Sequence, residues 1–310
     1  MKKVVIFGYG GVGRETAALL AERGDDLLIA QRSDPGALPS GARFRACDLT
    51  DSAAVASACA DRDVAICAAG FPYDARVWEA SWPKAMRALL DACERAGARF
   101  VFADNLYMYG PQMQPLLETM PLTTYGRKPS VRARITQMWH AAAAEGRVRT
   151  AAVRASDFYG PDVATSVLAA YGVARLLKGQ PALVPYNPDH PHDWSYVPDV
   201  ARAIVTLADA PDDAYGQAWH VPNAPTRTLR ELLALAAQIA GVPLRAQVVP
   251  YWLQPAIGIF EPAIRELVEM RFQTDRPYYV DASKFLARFG GAATSFEDGL
   301  AATVAFYRAA

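Results

Sequence analysis

The residues with the clearest chemistry stand at the start of the chain. Gly8-Tyr9-Gly10-Gly11-Val12-Gly13 has the spacing G-x-G-x-x-G, directly after the apolar run of residues 4–7 and before a helix-like stretch. Between a strand and a helix each glycine has its own task. One permits the tight turn, the next lets a pyrophosphate approach the backbone, and the third lets the helix pack on the strand. The amides that open the helix have no intrahelical acceptor, and the positive end of the helix dipole adds to their pull on an anion. Dinucleotide binding is therefore expected at Gly8, Tyr9, Gly10, Gly11, Val12 and Gly13. At the end of the next strand an acidic side chain would accept from the ribose 2′-hydroxyl of NAD and repel the 2′-phosphate of NADP. This chain has Ala30-Gln31-Arg32-Ser33 there. Arg32 and Ser33 can hold a phosphate by charge-assisted hydrogen bonds, so NADP is favoured over NAD.

Such a loop works at the edge of a sheet, and the first half of the chain supplies one. Strand-like runs at residues 4–7, 27–30, 44–47, 64–68, 100–103 and 148–153 alternate with helix-like stretches at 14–23, 78–95 and 131–144. That alternation predicts an α/β fold, a Rossmann-type doubly wound parallel sheet with a smaller, mostly helical C-terminal substrate lobe. Residues 1–165 are expected to form the dinucleotide-binding domain, to which the chain returns at about 193–225, with 166–192 and 226–310 as the substrate-binding lobe. Pro181, Pro185, Pro188, Pro191 and Pro198 predict a long surface loop. Thr228-x-x-Glu231 and Ser295-x-x-Asp298 predict helix starts.

Composition narrows the class. With 52% hydrophobic and 21% charged residues among 310, the chain can bury a core and is not a disordered one. Lys and Arg total 32 against 32 Asp and Glu, so no overall field draws nucleic acid or an anionic membrane. No apolar run approaches the ~18 residues of a membrane span. The four cysteines, Cys47, Cys59, Cys67 and Cys93, lack Cys-x-x-Cys spacing, and no leader-like segment precedes them. A cytoplasmic protein with buried, reduced thiols is expected. Asp189-His190-Pro191-His192-Asp193 has the composition of a metal cluster, but the intervening proline and the lack of Cys or Glu support favour a cleft-lining loop without metal. Tyr251, Trp252, Phe260, Phe272, Tyr278 and Tyr279 are candidates for the wall of an apolar pocket.

Further segments occur in a telling order: Cys47-Asp48-Leu49-Thr50-Asp51, Cys67-Ala68-Ala69-Gly70, a run ending Tyr109-Gly110-Pro111, RASDFYGP at residues 154–161, Trp194-Ser195-Tyr196-Val197-Pro198-Asp199-Val200, and Asp281-Ala282-Ser283-Lys284. Together they resemble the extended short-chain dehydrogenase/reductases, the family of NAD-dependent epimerases and dehydratases, over nearly the whole length. The resemblance implies an NAD(P)-dependent oxidoreductase acting on a hydroxyl or carbonyl of a small molecule. It implies Asp48 and Leu49 beside the adenine, and Ala68 and Ala69 at the turn after the fourth strand. A helix-paired homodimer is common among the proteins it resembles. An NAD-dependent nucleotide-sugar epimerase or dehydratase is the alternative, and a non-catalytic dinucleotide sensor a third.

The departures from the family bear on mechanism. In the family a Ser or Thr, and the Tyr and Lys of Tyr-x-x-x-Lys, carry the chemistry. The Ser/Thr place is held here by Asn105, whose amide can still donate to a carbonyl oxygen. Tyr125-Gly126-Arg127-Lys128 is one residue short, and Pro129 stands where the lysine belongs. Two registers follow. In one, Tyr125 is the acid, with Lys128 or Arg132 as its electrostatic partner. In the other, preferred on counting from Glu118, Lys128 takes the tyrosine place and Arg132 the lysine place, within reach of the nicotinamide ribose. Lys128, Tyr125 or Tyr107 is then the proton donor, and a loop without any such donor stays open. Asp157 and His192 stand where nucleotide-sugar members resemble one another in an Asn and an Arg. A carboxylate facing a diphosphate is repelled by on the order of a few kcal/mol, and a neutral imidazole replaces a permanent cation. Tyr107, Asp157 and His192 are expected at the substrate, with Asp157 holding either a substrate hydroxyl or Arg154.

Overall fold

The computed structural model describes residues 1–254 and 262–309, so Phe260 lies outside the described residues. Six strands carry the first part of the chain: β1 (Lys3–Phe7), β2 (Asp26–Gln31), β3 (Arg43–Ala46), β4 (Val64–Cys67), β5 (Arg99–Asp104) and β6 (Thr150–Arg154). Val4, Val5, Ile6 and Phe7 are all buried, as a strand covered on both faces requires. Every pairing among β1–β6 is parallel. The seven-stranded sheet runs Gln217–His220, β6, β5, β4, β1, β2, β3. The chain thus winds outward from β1 in one direction and from β4 in the other. That reversal leaves a crevice beyond the carboxyl ends of β1 and β4, where ligands settle in open α/β sheets.

Four helices accompany these strands: α1 (Gly11–Glu22), α2 (Ser52–Cys59), α3 (Ala75–Ala96) and α4 (Arg127–Ala144). The sequence pattern missed α2, although Asp51 marks its start by accepting from the amides of Ala53 and Ala54. Helix α4 begins four residues before the expected residue 131. Pro129 lies in its first turn, where a missing N–H breaks no helical bond, so the proline does not delay the helix. The core beneath includes Trp82, Met86 and Leu89 of α3, Ile135 and Trp139 of α4, and Phe100 and Phe102 of β5.

The chain divides into two compact units, one of Met1–Met108, Pro121–Arg154 and Val200–Trp219, the other of Tyr109–Met120, Ala155–Asp199 and His220–Ala310. In the second unit, Asp157–Tyr159 pairs in parallel with Trp194–Tyr196, and Pro191–His192 pairs antiparallel with Arg227–Thr228. The proline-rich stretch is therefore not one long surface loop: the strands Ala182–Val184, Pro191–His192 and Trp194–Tyr196 interrupt it, and Trp194 is 1% and Ser195 0% exposed in a wall of the unit's own core. Leu229–Ala240 opens with the expected Thr228–Glu231 capping box and closes at left-handed Gly241. Phe272 and Tyr278 are buried, whereas Trp252 is 78% exposed. Among the described residues no helix is long and apolar enough to cross a membrane, and no His, Cys, Asp and Glu side chains cluster so as to hold a metal ion.

Candidate coenzyme and catalytic site

The glycine loop sits at the carboxyl end of β1, and its glycines are required for different reasons. Gly8 has φ +92°, and a Cβ there would lie 2.6 Å from the Ala69 Cα. Gly13 lies so close to β1 that a Cβ would meet the Gly8 carbonyl oxygen at 2.1 Å. Gly10 instead faces open space, with nothing within 4 Å of where its Cβ would be. No side chain caps the helix at Gly10 and no acidic residue occupies the first turn, so the amides of Gly11, Val12 and Gly13 meet no carboxylate. The amide of Ala68 donates to the Phe7 carbonyl (2.9 Å), which fixes the Ala68-Ala69 turn beside the loop. An uncapped helix start beside a cradle of small residues fits the pyrophosphate of a dinucleotide.

Gln31, which the sequence reading treated only as an uncharged end of β2, ties the loop together. Its Oε1 accepts from the Tyr9 amide at 3.0 Å and its Nε2 donates to the Ser33 carbonyl at 2.8 Å. The Arg14 guanidinium lies 5.4 Å from the Tyr9 ring centroid. Arg32 and Ser33 are exposed just beyond. The Asp48 carboxylate accepts from the Thr50 amide (2.8 Å) and hydroxyl (2.7 Å), and these bonds, with a smaller contribution from Arg32, hold its carboxyl below the usual range. Leu49 is buried next to it.

A second cluster forms where β5 and β6 end beside α4. Lys128 and Arg132 are one helical turn apart on the same face, and both are buried. The Lys128 ammonium sits 4.7 Å from the Tyr73 ring centroid. The Arg132 guanidinium lies 4.2 Å from Trp82 and 4.7 Å from Trp78, two residues that share a face of α3. It pairs with Asp104 at 3.1 Å, and Arg154 approaches the other oxygen of the same carboxylate at 3.5 Å. Burial pushes the Asp104 carboxyl up despite both arginines, and lowers the Arg132 guanidinium despite Asp104. Desolvation outweighs attraction at this pair. Arg132 is therefore turned into the core and does not reach outward toward a ribose, as its helix position had suggested. Arg154 takes Asp104 and the Thr136 hydroxyl (3.1 Å) as partners, not Asp157.

Asn105 follows Asp104 directly. Its Oδ1 accepts from the Tyr107 amide at 3.0 Å, which leaves the NH2 end as the donor. The Tyr107 ring stacks on Trp78 with centroids 6.1 Å apart. Tyr125 precedes α4 and is 43% exposed. The first unit thus gathers Asn105, Tyr107, Lys128 and Arg132 around one aromatic group and leaves Tyr125 at the surface. Asp104, Trp78, Trp82 and Tyr73 escaped the sequence reading, and Arg154 was given the wrong carboxylate. The i, i+4 tryptophans were its one available signal, since an aromatic pair on a single helix face suits a stacked cation.

In the second unit Asp157 and His192 meet, with Oδ2 and Nε2 3.2 Å apart. Asp193, the adjoining residue, is committed to structure, accepting from the Thr226 hydroxyl and, at 2.7 Å, from the Val280 amide. His220 is buried, with Nε2 2.9 Å from the Tyr109 hydroxyl and Nδ1 2.9 Å from the Asp281 carbonyl.

A parallel sheet with a glycine cradle at its reversal point defines a Rossmann-type α/β protein. A sequence model of the NAD dependent epimerase/dehydratase family matches residues 4–221, and the chain belongs to that family. Its fold is similar to the UDP-glucose 4-epimerase of Thermus thermophilus, solved with NAD, at 20% identity over 99% of both chains and a TM-score of 0.80. The UDP-glucose 4-epimerase of Thermotoga maritima, solved with UDP-glucose, gives 18%, 99% of both chains and 0.83. The dTDP-glucose 4,6-dehydratase of Bacillus anthracis, solved with NAD, gives 15%, 100% of this chain, 97% of that chain and 0.80. A search of the curated proteins returns no match.

Proposed function

We propose that this chain is an NAD(P)-dependent oxidoreductase that oxidises or reduces a hydroxyl or carbonyl of a small molecule, with Asn105 and Lys128 at the reacting oxygen and the second unit as the substrate lobe. The observation that carries the reading is the uncapped start of α1, held against β1 by glycines that no side chain can replace. When bound, a nicotinamide coenzyme supplies or accepts the hydride. The amides of Gly11, Val12 and Gly13 would hold its phosphates, Asp48 and Leu49 would lie beside the adenine, and the small-residue turn at Ala68 and Ala69 would leave room beside the loop. The Asn105 NH2 polarises the substrate oxygen and the Lys128 ammonium transfers the proton. Arg132, locked between Trp78, Trp82 and Asp104, is a positioning residue that fixes the end of β5, which Asn105 directly follows. The free, buried thiols support a cytoplasmic setting. Titration with NADPH and NADH, followed by nicotinamide fluorescence, tests the reading; no binding of either coenzyme overturns it.

NADP is the preferred coenzyme in this reading, supported by an exposed Arg32 and Ser33 and by the absence of an acidic residue at the end of β2. Arg32→Ala is expected to weaken NADPH about tenfold or more while leaving NADH within about twofold. Equal losses in parallel titrations remove the assignment.

Lys128→Met retains the length of the side chain and removes its proton. Reduction of carbonyl compounds is expected to fall about 10²–10⁴-fold in kcat, with coenzyme binding intact. Tyr125→Phe is expected to keep the wild-type rate. A fully active Lys128→Met enzyme places the acid elsewhere.

The similarity to solved nucleotide-sugar enzymes favours a second reading, an NAD-dependent epimerase or dehydratase. In that case UDP should raise the unfolding midpoint as much as NADPH does.

A further inference from the structure

Arg14 directly follows the glycine loop and has no task in the reading above. It stands in the first turn of α1, its amide donating to the Gly10 carbonyl at 2.8 Å, and its side chain is exposed. A cation there opposes the positive end of the helix dipole, so it does nothing for the helix and points to an anion outside it. Its guanidinium lies 5.4 Å from the Tyr9 ring centroid. Tyr9 is only 8% exposed, so the ring is a fixed seat for an exposed charge.

The loop has two sides. Gly8 is pressed against the backbone of Ala69, beyond β4. The Tyr9 amide is instead bonded to the Gln31 side chain (3.0 Å), whose other end holds the Ser33 carbonyl (2.8 Å). Tyr9 and the arginine seated on it are thereby tied to the end of β2, where the ribose beside the adenine is read. Gln31 has both polar ends engaged with backbone. Asp34, the first carboxylate after β2, is folded back on its own turn, accepting from the Gly36 amide at 2.8 Å. Residues 31–34 therefore turn no acid toward the ribose, whereas Arg32 and Ser33 stand exposed there. A free 2′-hydroxyl asks for an acceptor and gains little from a guanidinium. A 2′-phosphate asks for cations and several N–H donors, and an arginine held flat on an aromatic ring presents its edge of donors already ordered.

Resting on the oxidoreductase reading above, we propose that Arg14, seated on Tyr9, is a second cation for the 2′-phosphate of NADP, which is then held from α1 by Arg14 and from the end of β2 by Arg32 and Ser33.

Parallel fluorescence titrations of the full chain with NADPH and NADH, and calorimetric titration with adenosine 2′,5′-bisphosphate, test this. Arg14→Gln keeps a polar side chain and removes the charge. It is expected to weaken NADPH and adenosine 2′,5′-bisphosphate about tenfold, and NADH by less than about twofold. Combined with Arg32→Ala, it should leave NADPH and NADH bound about equally. Tyr9→Phe keeps the seat and should keep the wild-type ratio of the two affinities. Tyr9→Leu should lower that ratio about threefold, whereas a merely structural tyrosine would change both coenzymes together. Equal losses of NADPH and NADH in Arg14→Gln place Arg14 at the pyrophosphate and overturn the assignment, as does an NADPH affinity that the substitution leaves unchanged. A wild type that binds neither coenzyme defeats the oxidoreductase reading. One that binds both, with a ratio indifferent to Arg14→Gln, defeats the second cation alone.

Discussion

Gly13→Ala is expected to reduce coenzyme affinity at least a hundredfold and to lower the unfolding midpoint by several degrees. Helix propensity alone favours alanine here by about 1 kcal/mol. Packing reverses the sign. The added methyl would lie 2.1 Å from the Gly8 carbonyl oxygen, and that oxygen cannot retreat, because Gly8 is itself pressed against the backbone of Ala69. Helix α1 must lift from β1, at a strain of about 1–3 kcal/mol. The lift also carries away the amides of its first turn, which must point at the phosphates within a few tenths of an ångström to hold them. Gly10→Ala provides the contrast. Its methyl meets nothing within 4 Å, so the fold should keep its midpoint while the methyl occupies the space a pyrophosphate needs. Calorimetry of both variants with and without NADPH separates the effects. Undiminished NADPH affinity in Gly13→Ala would mean that the phosphates lie elsewhere.

Asp104→Ala should be the most destabilising single change at the end of the sheet, by about 3–5 kcal/mol, because it leaves the buried Arg132 and Arg154 guanidiniums without their carboxylate. The pair is no gain in itself: burial raises the Asp104 carboxyl and lowers Arg132, so the fold tolerates these charges only because they compensate each other. Removing one partner is therefore far worse than never having had either. Asp104→Ala combined with Arg132→Met should recover part of the loss, although Arg154 stays. Urea unfolding of the two variants measures the difference. A single variant within about 1 kcal/mol of wild type would show that water reaches the cluster.

The sheet was legible because its central strands, β1 and β4 above all, are continuous apolar runs, a pattern that survives without tertiary information. Helix α2 was not, since its Ala-rich run Ser52–Cys59 has almost no polar face to give a period. The start of α4 was misplaced because Pro129 reads as a breaker until its position in the first turn is known. The glycine loop was legible down to the separate duties of Gly8 and Gly13, which depend on local geometry. The charge cluster was hidden, because it brings together Asp104, Arg132 and Arg154 from β5, α4 and β6, and only packing makes them neighbours. The choice between Tyr125 and Lys128 could not be made from spacing alone. Lys128 lies in the aromatic group beside Tyr73 whereas Tyr125 stands exposed outside it, and that placement favours Lys128.

The bridging amide of Gln31 ties selectivity to scaffold. A designer wishing to retool the pocket toward the unphosphorylated ribose would place an acid at that strand end, and Gln31→Glu is the smallest such edit. It preserves the acceptor for the Tyr9 amide but turns the donor to the Ser33 carbonyl into a second acceptor, 2.8 Å from an oxygen it now opposes. The loop carrying Arg32 and Ser33 would swing away, so one replacement would alter both the discriminating group and its mounting. Switching preference in this chain thus calls for a paired redesign, in which the following loop is rebuilt to meet the new carboxylate.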